Sequence, residues 1–138
     1  MEDRLLNILL VEDDEVDVMN VKRAFQKNHI MNPLFLAGDG IEALEQLRSG
    51  RIPRDRRIVL LDLNMPRMNG IEFLREVRRD PELTSTPVVV LTTSNDERDR
   101  IDAYNLNVAG YLVKPVTFTN FCEVMAALNK YWTLVEMP

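Results

Sequence analysis

Several residues able to do chemistry stand where apolar runs stop. Glu12 and Asp13 follow Asn7-Ile8-Leu9-Leu10-Val11, and Asp62 follows Ile58-Val59-Leu60-Leu61. Thr92 follows Val88-Val89-Val90-Leu91, and Lys114 ends the run from Val108 to Val113. Carboxylates crowd together badly unless something offsets their charge. A hard divalent cation does so: Mg²⁺ takes oxygen ligands, keeps several waters, and commonly uses one or two carboxylates plus a phosphate oxygen. Asp13 and Asp62 can supply the carboxylates, and a backbone carbonyl beyond Asp62 a further oxygen. A cation alone leaves Lys114 and Thr92 without a role. An ammonium and a hydroxyl are what a phosphoryl group needs opposite a metal, because phosphoryl transfer depends mainly on positioning and charge stabilisation. Asp62 then reads as a nucleophile that takes up a phosphoryl group as an aspartyl phosphate.

Each residue also has a plainer reading. Asp62 is placed to cap the helix that starts near Asn69, Thr92 and Thr93 to cap the next one, and Lys114 to be a solvated strand end. Tyr111 suits ordinary packing with its hydroxyl in water. Trp132 suits either core cover or a contact between copies. His29 reads as a surface helix end and Cys122 as a small buried hydrophobe. Taken separately these readings are strong. They do not explain why four strands end in complementary chemistry.

The elements follow from pattern. Short unbroken apolar runs read as strands buried on both faces, typical of parallel sheets. They are expected at 7–11, 33–37, 58–61, 88–91 and 108–113. Helical spacing appears at about 15–27, with Val18, Val21 and Phe25 inward and Met19 and Ala24 widening the face. It recurs at 41–49, with Ile41, Leu44 and Leu47, and at 70–79, with Ile71, Leu74 and Val77. A weaker pattern covers 96–105, with Ile101 and Tyr104. The last covers 117–132, with Phe118, Phe121, Cys122, Met125, Leu128 and Trp132. Asp14 is the expected N-cap of the first helix, with Asp17 a weak echo of a capping box. Asn95 or Ser94 is the expected cap of the fourth, and Gly50 a C-cap of the second. The stretch Arg51 to Arg57 reads as a polar connection.

Strand and helix alternate five times with short links, so the crossovers should be right-handed. The expected fold is α/β: a flavodoxin-like, doubly wound, five-stranded parallel sheet of order 2-1-3-4-5 with five helices, a three-layer sandwich. All the acids, Thr92 and Lys114 then share the carboxyl rim, where ligands bind in such sheets.

The totals exclude several classes. The chain has 138 residues, 46% of them hydrophobic, and a net charge of -5. That suits one domain, 1–138, with an apolar tail from about 133 to 138. The charge argues against a nucleic-acid surface, which needs a basic patch. One Cys and one His exclude an internal disulfide and a Cys- or His-paired metal site, and fit a reducing, cytoplasmic setting. No apolar run approaches the ~20 residues of a membrane helix, and the charged start does not suit a signal peptide.

Four segments together resemble the receiver domain of two-component response regulators over nearly the whole chain. They are Ile8-Leu9-Leu10-Val11-Glu12-Asp13; Leu61-Asp62-Leu63-Asn64-Met65-Pro66 with Asn69-Gly70; Pro87-Val88-Val89-Val90-Leu91-Thr92; and Gly110-Tyr111-Leu112-Val113-Lys114-Pro115. The resemblance implies a switch rather than an enzyme, with Asp62 accepting phosphate from a sensor histidine kinase. It implies Mg²⁺, with Mn²⁺ or Ca²⁺ as substitutes. Asp13 would bind the ion directly, Glu12 through water, and the Asn64 carbonyl would complete the protein ligands beside Asp62. It further implies that Thr92 bonds the phosphate and shifts on activation, that Tyr111 changes rotamer with it, and that Lys114 pairs with a phosphate oxygen. The Lys114–Pro115 bond would be cis. Glu12 departs from the family's usual Asp, Thr93 stands where a smaller residue is frequent, and the Arg51–Arg57 connection is long.

A narrower resemblance rests on that connection, on Leu91-Thr92-Thr93-Ser94, and on Tyr131-Trp132 before an apolar tail. These look like the single-domain regulators that partner phytochrome-type kinases. It implies a homodimer through helix 4, strand 5, helix 5 and the tail, with output through a protein partner and no DNA-binding domain.

Three rivals remain. An aspartate-nucleophile phosphatase usually needs a second acid two residues after the nucleophile; Asn64 stands there and cannot act as one. A flavin-binding module needs a phosphate-cradling loop after strand 1, where Glu12-Asp13-Asp14 would repel phosphate. A degenerate receiver kept as a scaffold does not fit the intact acid set.

Overall fold

A computed structural model describes residues 6–114 and 118–134. The sheet has five parallel strands in the order β2-β1-β3-β4-β5. They are β1 (Asn7–Val11), β2 (Leu34–Ala37), β3 (Arg57–Leu61), β4 (Val88–Thr92) and β5 (Gly110–Val113). Between them run α1 (Glu15–Lys27), α2 (Gly40–Arg48), α3 (Gly70–Arg79) and α4 (Glu97–Asn105), and α5 (Phe118–Leu134) closes the chain. This is the flavodoxin-like order expected.

Strand alternation divides the core in two. Leu9, Val11, Val59, Leu61, Val88 and Val90 point to one face, where they meet Leu44 and Leu47 of α2, Phe73 and Val77 of α3, and Ala103 of α4. Ile8, Leu10, Ile58, Leu60, Val89 and Leu91 point to the other, against Val21 and Phe25 of α1 and Met125, Leu128 and Trp132 of α5. The central strands β1, β3 and β4 are buried throughout, as their unbroken apolar runs require. Edge strands β2 and β5 are only partly covered. Trp132 is 2% exposed and meets Phe25 edge-on, with ring centroids 6.4 Å apart. Core cover is therefore its role. The tail 135–138 and the Lys114–Pro115 bond lie outside the described residues.

Several local expectations change. Ile41 and Met19 are exposed rather than inward, and on α4 Ile101 and Tyr104 face solvent while Ala103 is buried. The α4 N-cap is Asp96, whose carboxylate accepts from the Arg98 amide at 2.8 Å. Ser94 is engaged elsewhere: its hydroxyl donates to Asp99 at 2.7 Å. The second helix ends at Ser49, with Gly50 just beyond it in the left-handed region at φ 81°. The 51–57 connection is not all solvated: Ile52 is buried, and Arg57 begins β3 with its guanidinium donating to the Leu47 and Ile52 carbonyls. The strand predicted from Val108 begins at Gly110, after a turn in which Asn107 has φ 60°.

Candidate functional site

Register places the reactive groups. Val11 is level with Leu61 across β1 and β3, and Leu61 with Val90 across β3 and β4. The residues that follow therefore come off neighbouring strands at one height. The Asp62 amide donates to the Val11 carbonyl at 3.0 Å, the Glu12 amide to Ala37 at 2.9 Å, and the Lys114 amide to Thr92 at 2.8 Å. Ladder bonds thus run right up to the rim and hold its residues on rigid backbone.

The β3–α3 loop turns back on itself to frame Asp62. The Gly70 amide donates to the Leu63 carbonyl at 3.0 Å. A Cβ on Gly70 would lie 2.7 Å from the Asp62 carbonyl oxygen and from Leu63 Cα, so only glycine fits there. Asn69 caps α3 in a full capping box with Glu72, which leaves Asp62 free of that task. Arg67 takes a left-handed conformation, φ 61°. From there its guanidinium donates through Nε to Asp39 Oδ2 at 2.7 Å and pairs with it through Nη2 at 2.5 Å. Asp39 is itself buried and caps α2 by accepting from the Glu42 amide at 2.9 Å. The sequence reading had no role for this pair.

Carboxylate oxygens of Glu12, Asp13 and Asp62 all lie within 4.8 Å of one another. Glu12 and Asp62 are buried and Asp13 is exposed, so the cluster opens to water on the Asp13 side. An all-oxygen, anionic donor set of this kind fits a hard divalent cation. Among the described residues, Glu12, Asp13 and Asp62 are the side chains that can hold one. Asn64 is exposed two residues beyond Asp62, and its amide donates to Asp62 Oδ1 at 3.3 Å.

The other expected residues converge on the same carboxylate. The fully buried Thr92 hydroxyl donates to Asp62 Oδ1 at 2.6 Å. The Ser94 amide donates to Thr92 Oγ1 at 3.2 Å, and Tyr111 donates to the Ser94 carbonyl at 3.0 Å. Asp62, Thr92, Ser94 and Tyr111 therefore form one chain of bonds from β3 to β5. Burial pushes the Tyr111 phenol pKa up, the Ser94 bond offsetting only part of that. Lys114, with its side chain 6% exposed, makes a short ion pair to Glu12, a second to Asp17 at 2.8 Å, and stands 3.8 Å from Asp62 Oδ2.

Charge and burial compete here. Burial raises the Glu12 pKa to about 7, with the Asp62 charge adding to it and the Lys114 bond opposing. Burial works to lower the Lys114 pKa, but its bonds to Asp17 and Glu12 and the charge of Asp62 outweigh burial and raise it. The ammonium is thus firmly charged. The sequence pattern suggests a capping role for Asp17. Its amide does donate to the Asp14 cap, at 3.3 Å, but its carboxylate turns to Lys114 instead. Only its spacing, one helical turn past Glu12-Asp13, could have hinted at this.

A five-stranded parallel sheet carrying these groups on its carboxyl rim defines a signalling receiver. The chain belongs to the response regulator receiver domain family, whose model matches residues 8–126. It is 38% identical over 130 residues to the probable methanogenesis regulatory protein FilR2 of Methanothrix harundinacea, covering 91% of this chain and 82% of that protein. It is 36% identical over 128 residues to response regulator Rcp1 of Synechocystis, covering 91% and 87%. A crystal structure of the Mn²⁺-bound form of response regulator Rcp1 superposes with a TM-score of 0.84, at 35% identity, covering 96% and 99%. The phosphorylated cyanobacterial phytochrome response regulator RcpA superposes with a TM-score of 0.87 at 32% identity, covering 98% of this chain and 99% of that one. Among the described residues no helix is long and apolar enough to cross a membrane.

Proposed function

We propose that this chain, residues 1–138 acting as one receiver domain, takes a phosphoryl group from a sensor histidine kinase onto Asp62. Asp62 oxygen would attack phosphorus, the phosphorus–nitrogen bond of the phosphohistidine would break, and the imidazole would leave with the bonding pair and be reprotonated by solvent. The observation that carries the reading is the convergence on Asp62 of a hydroxyl donor, Thr92 at 2.6 Å, and an ammonium, Lys114 at 3.8 Å. Thr92 bonds a phosphoryl oxygen, and Lys114 faces the charge on that group. Phosphoryl transfer gains most from such fixed charge and positioning. Mg²⁺, when bound by Asp13 and Asp62 with the Asn64 carbonyl and Glu12 in support, supplies charge neutralisation at the phosphoryl oxygens. Mn²⁺ is a fitting substitute, and the Mn²⁺-bound Rcp1 structure supports that choice.

The output is a switch and not turnover of a substrate. The bonds from Asp62 through Thr92 and Ser94 to Tyr111 offer a route from the phosphoryl group to the α4–β5 face. That face carries exposed Ile101, Tyr104 and Val113. We assign it, with α5, to a homodimer. The kinase we propose is of the phytochrome type, on the strength of the likeness to RcpA and Rcp1.

The test is intact mass after incubation with acetyl phosphate, with and without Mg²⁺, beside Asp62→Asn. Uptake of one phosphoryl group requiring both Mg²⁺ and Asp62 is expected. A folded protein that takes up none would leave a metal-binding scaffold.

A further inference from the structure

Lys114 is held by more than its partners at the rim. An ammonium has three N–H donors and no acceptor. One goes to Glu12 and one to Asp17 Oδ2 at 2.8 Å, while Asp62 Oδ2 lies 3.8 Å off, beyond a hydrogen bond. Asp17 comes from a different element than the other anchors. It is the third residue of α1, fixed there by the Asp14 cap, and its side chain is partly exposed. It also stands outside the trio of carboxylates that approach one another.

Glu12 has two claims on it. It belongs to the trio that can hold a cation, and it is also the shortest partner of Lys114. An oxygen that turns toward a cation or its water shell is lost to the ammonium. Asp17 faces no such competition. We propose that Asp17 is a positioning residue for phosphoryl uptake: it holds the Lys114 ammonium beside Asp62 while Glu12 serves the cation. This rests on the reading of Asp62 as the phosphoryl acceptor. With acetyl phosphate the Asp62 oxygen bonds phosphorus, the bridging phosphorus–oxygen bond breaks, and acetate leaves with the electron pair. The ammonium must face the phosphoryl oxygens throughout, and a four-carbon stem with one anchor gone does not hold it there.

The test compares Asp17→Asn and Asp17→Glu with the unaltered chain at saturating Mg²⁺. Uptake from acetyl phosphate is followed by intact mass, and the Lys114 side-chain ammonium by nitrogen-15 NMR in the Mg²⁺-loaded protein. Asp17→Asn should slow uptake at saturating acetyl phosphate roughly 10-fold and leave half-saturation nearly unchanged. Its ammonium signal should broaden through solvent exchange. Asp17→Glu should recover most of the rate and the signal, which a general loss of α1 stability would not do. Wild-type uptake with Asp17→Asn equally fast and its ammonium signal sharp overturns this inference alone. No uptake by the unaltered chain overturns the Asp62 reading, and this inference with it.

Discussion

Asp62 and Lys114 show how one residue's value depends on its neighbours. Lys114 is the cation nearest two buried carboxylates, Glu12 and Asp62. Removing one partner of a buried ion pair costs about 3–5 kcal/mol because a charge is left unpaired. Lys114→Met should therefore lower the unfolding free energy of the metal-free protein by that order in urea titrations, and saturating Mg²⁺ should restore part of the loss by compensating the same acids. Thr92→Val keeps shape and removes the hydroxyl, leaving Asp62 Oδ1 with the more distant Asn64 amide, at 3.3 Å, among the described residues. The expected cost is about 1–3 kcal/mol by denaturation, with phosphoryl uptake slowed in the mass assay. Thr92 and Lys114 were legible in the sequence because each ends an apolar run. The partner Asp17 was not, because an acid in the first turn of a helix is ordinary on electrostatic grounds alone.

At the scale of elements, the loop from Asp62 to Gly70 is held by α2 as much as by its own helix. Asp39 ties the α2 N-terminus to Arg67. Burial works to raise the Asp39 pKa, but the Glu42 amide and the Arg67 guanidinium outweigh it and hold the carboxyl below its usual value. A depressed carboxyl contributes stability in full above its unfolded pKa near ~3.9, and that contribution is lost as pH falls through the lower folded value. Asp39→Asn keeps a capping oxygen but not the charge, so it should be less stable than the parent by about 1 kcal/mol at pH 7. The gap should close as both are titrated below pH ~3, measured by urea unfolding at each pH. Gly70→Ala tests the same loop from its other end. The 2.7 Å approach of a new Cβ to backbone must push α3 away from Asp62, so a lower melting temperature and slower phosphoryl uptake are expected together. Helix periodicity located α2 and α3 well, but Ile41 is turned outward, and the buried arc of α2 runs through Ala43, Leu44 and Leu47 instead.

Across the whole molecule, the two faces of the sheet divide the labour. One side is closed by α1 and α5, sealed by Phe25 and Trp132. The α4 end of the other side keeps Ile101 and Tyr104 in solvent beside the half-covered edge strand β5. Apolar side chains grouped at an exposed sheet edge favour association. Beryllofluoride with Mg²⁺, a mimic of the phosphoryl group, should shift the chain toward a dimer in size-exclusion chromatography with light scattering. Ile101→Glu should return it to monomer without changing phosphoryl uptake. A chain that stays monomeric with the mimic bound would remove the dimer from the proposed output.

By itself the sequence determined the order of elements, the two-layered core and the rim on which Glu12, Asp13, Asp62, Thr92 and Lys114 gather. Short unbroken apolar runs bounded by turn residues read as central parallel strands, and parallel strands carry their terminal residues to one edge. Tertiary structure alone decided which of those groups touch. The Asp17–Lys114 and Asp39–Arg67 pairs join residues far apart in the chain, and local patterns of hydrophobicity carry no information about such distances. The outward turn of Ile41, Ile101 and Tyr104 was settled there too, because a helix's buried arc is set by the surface it packs on and not by its own periodicity.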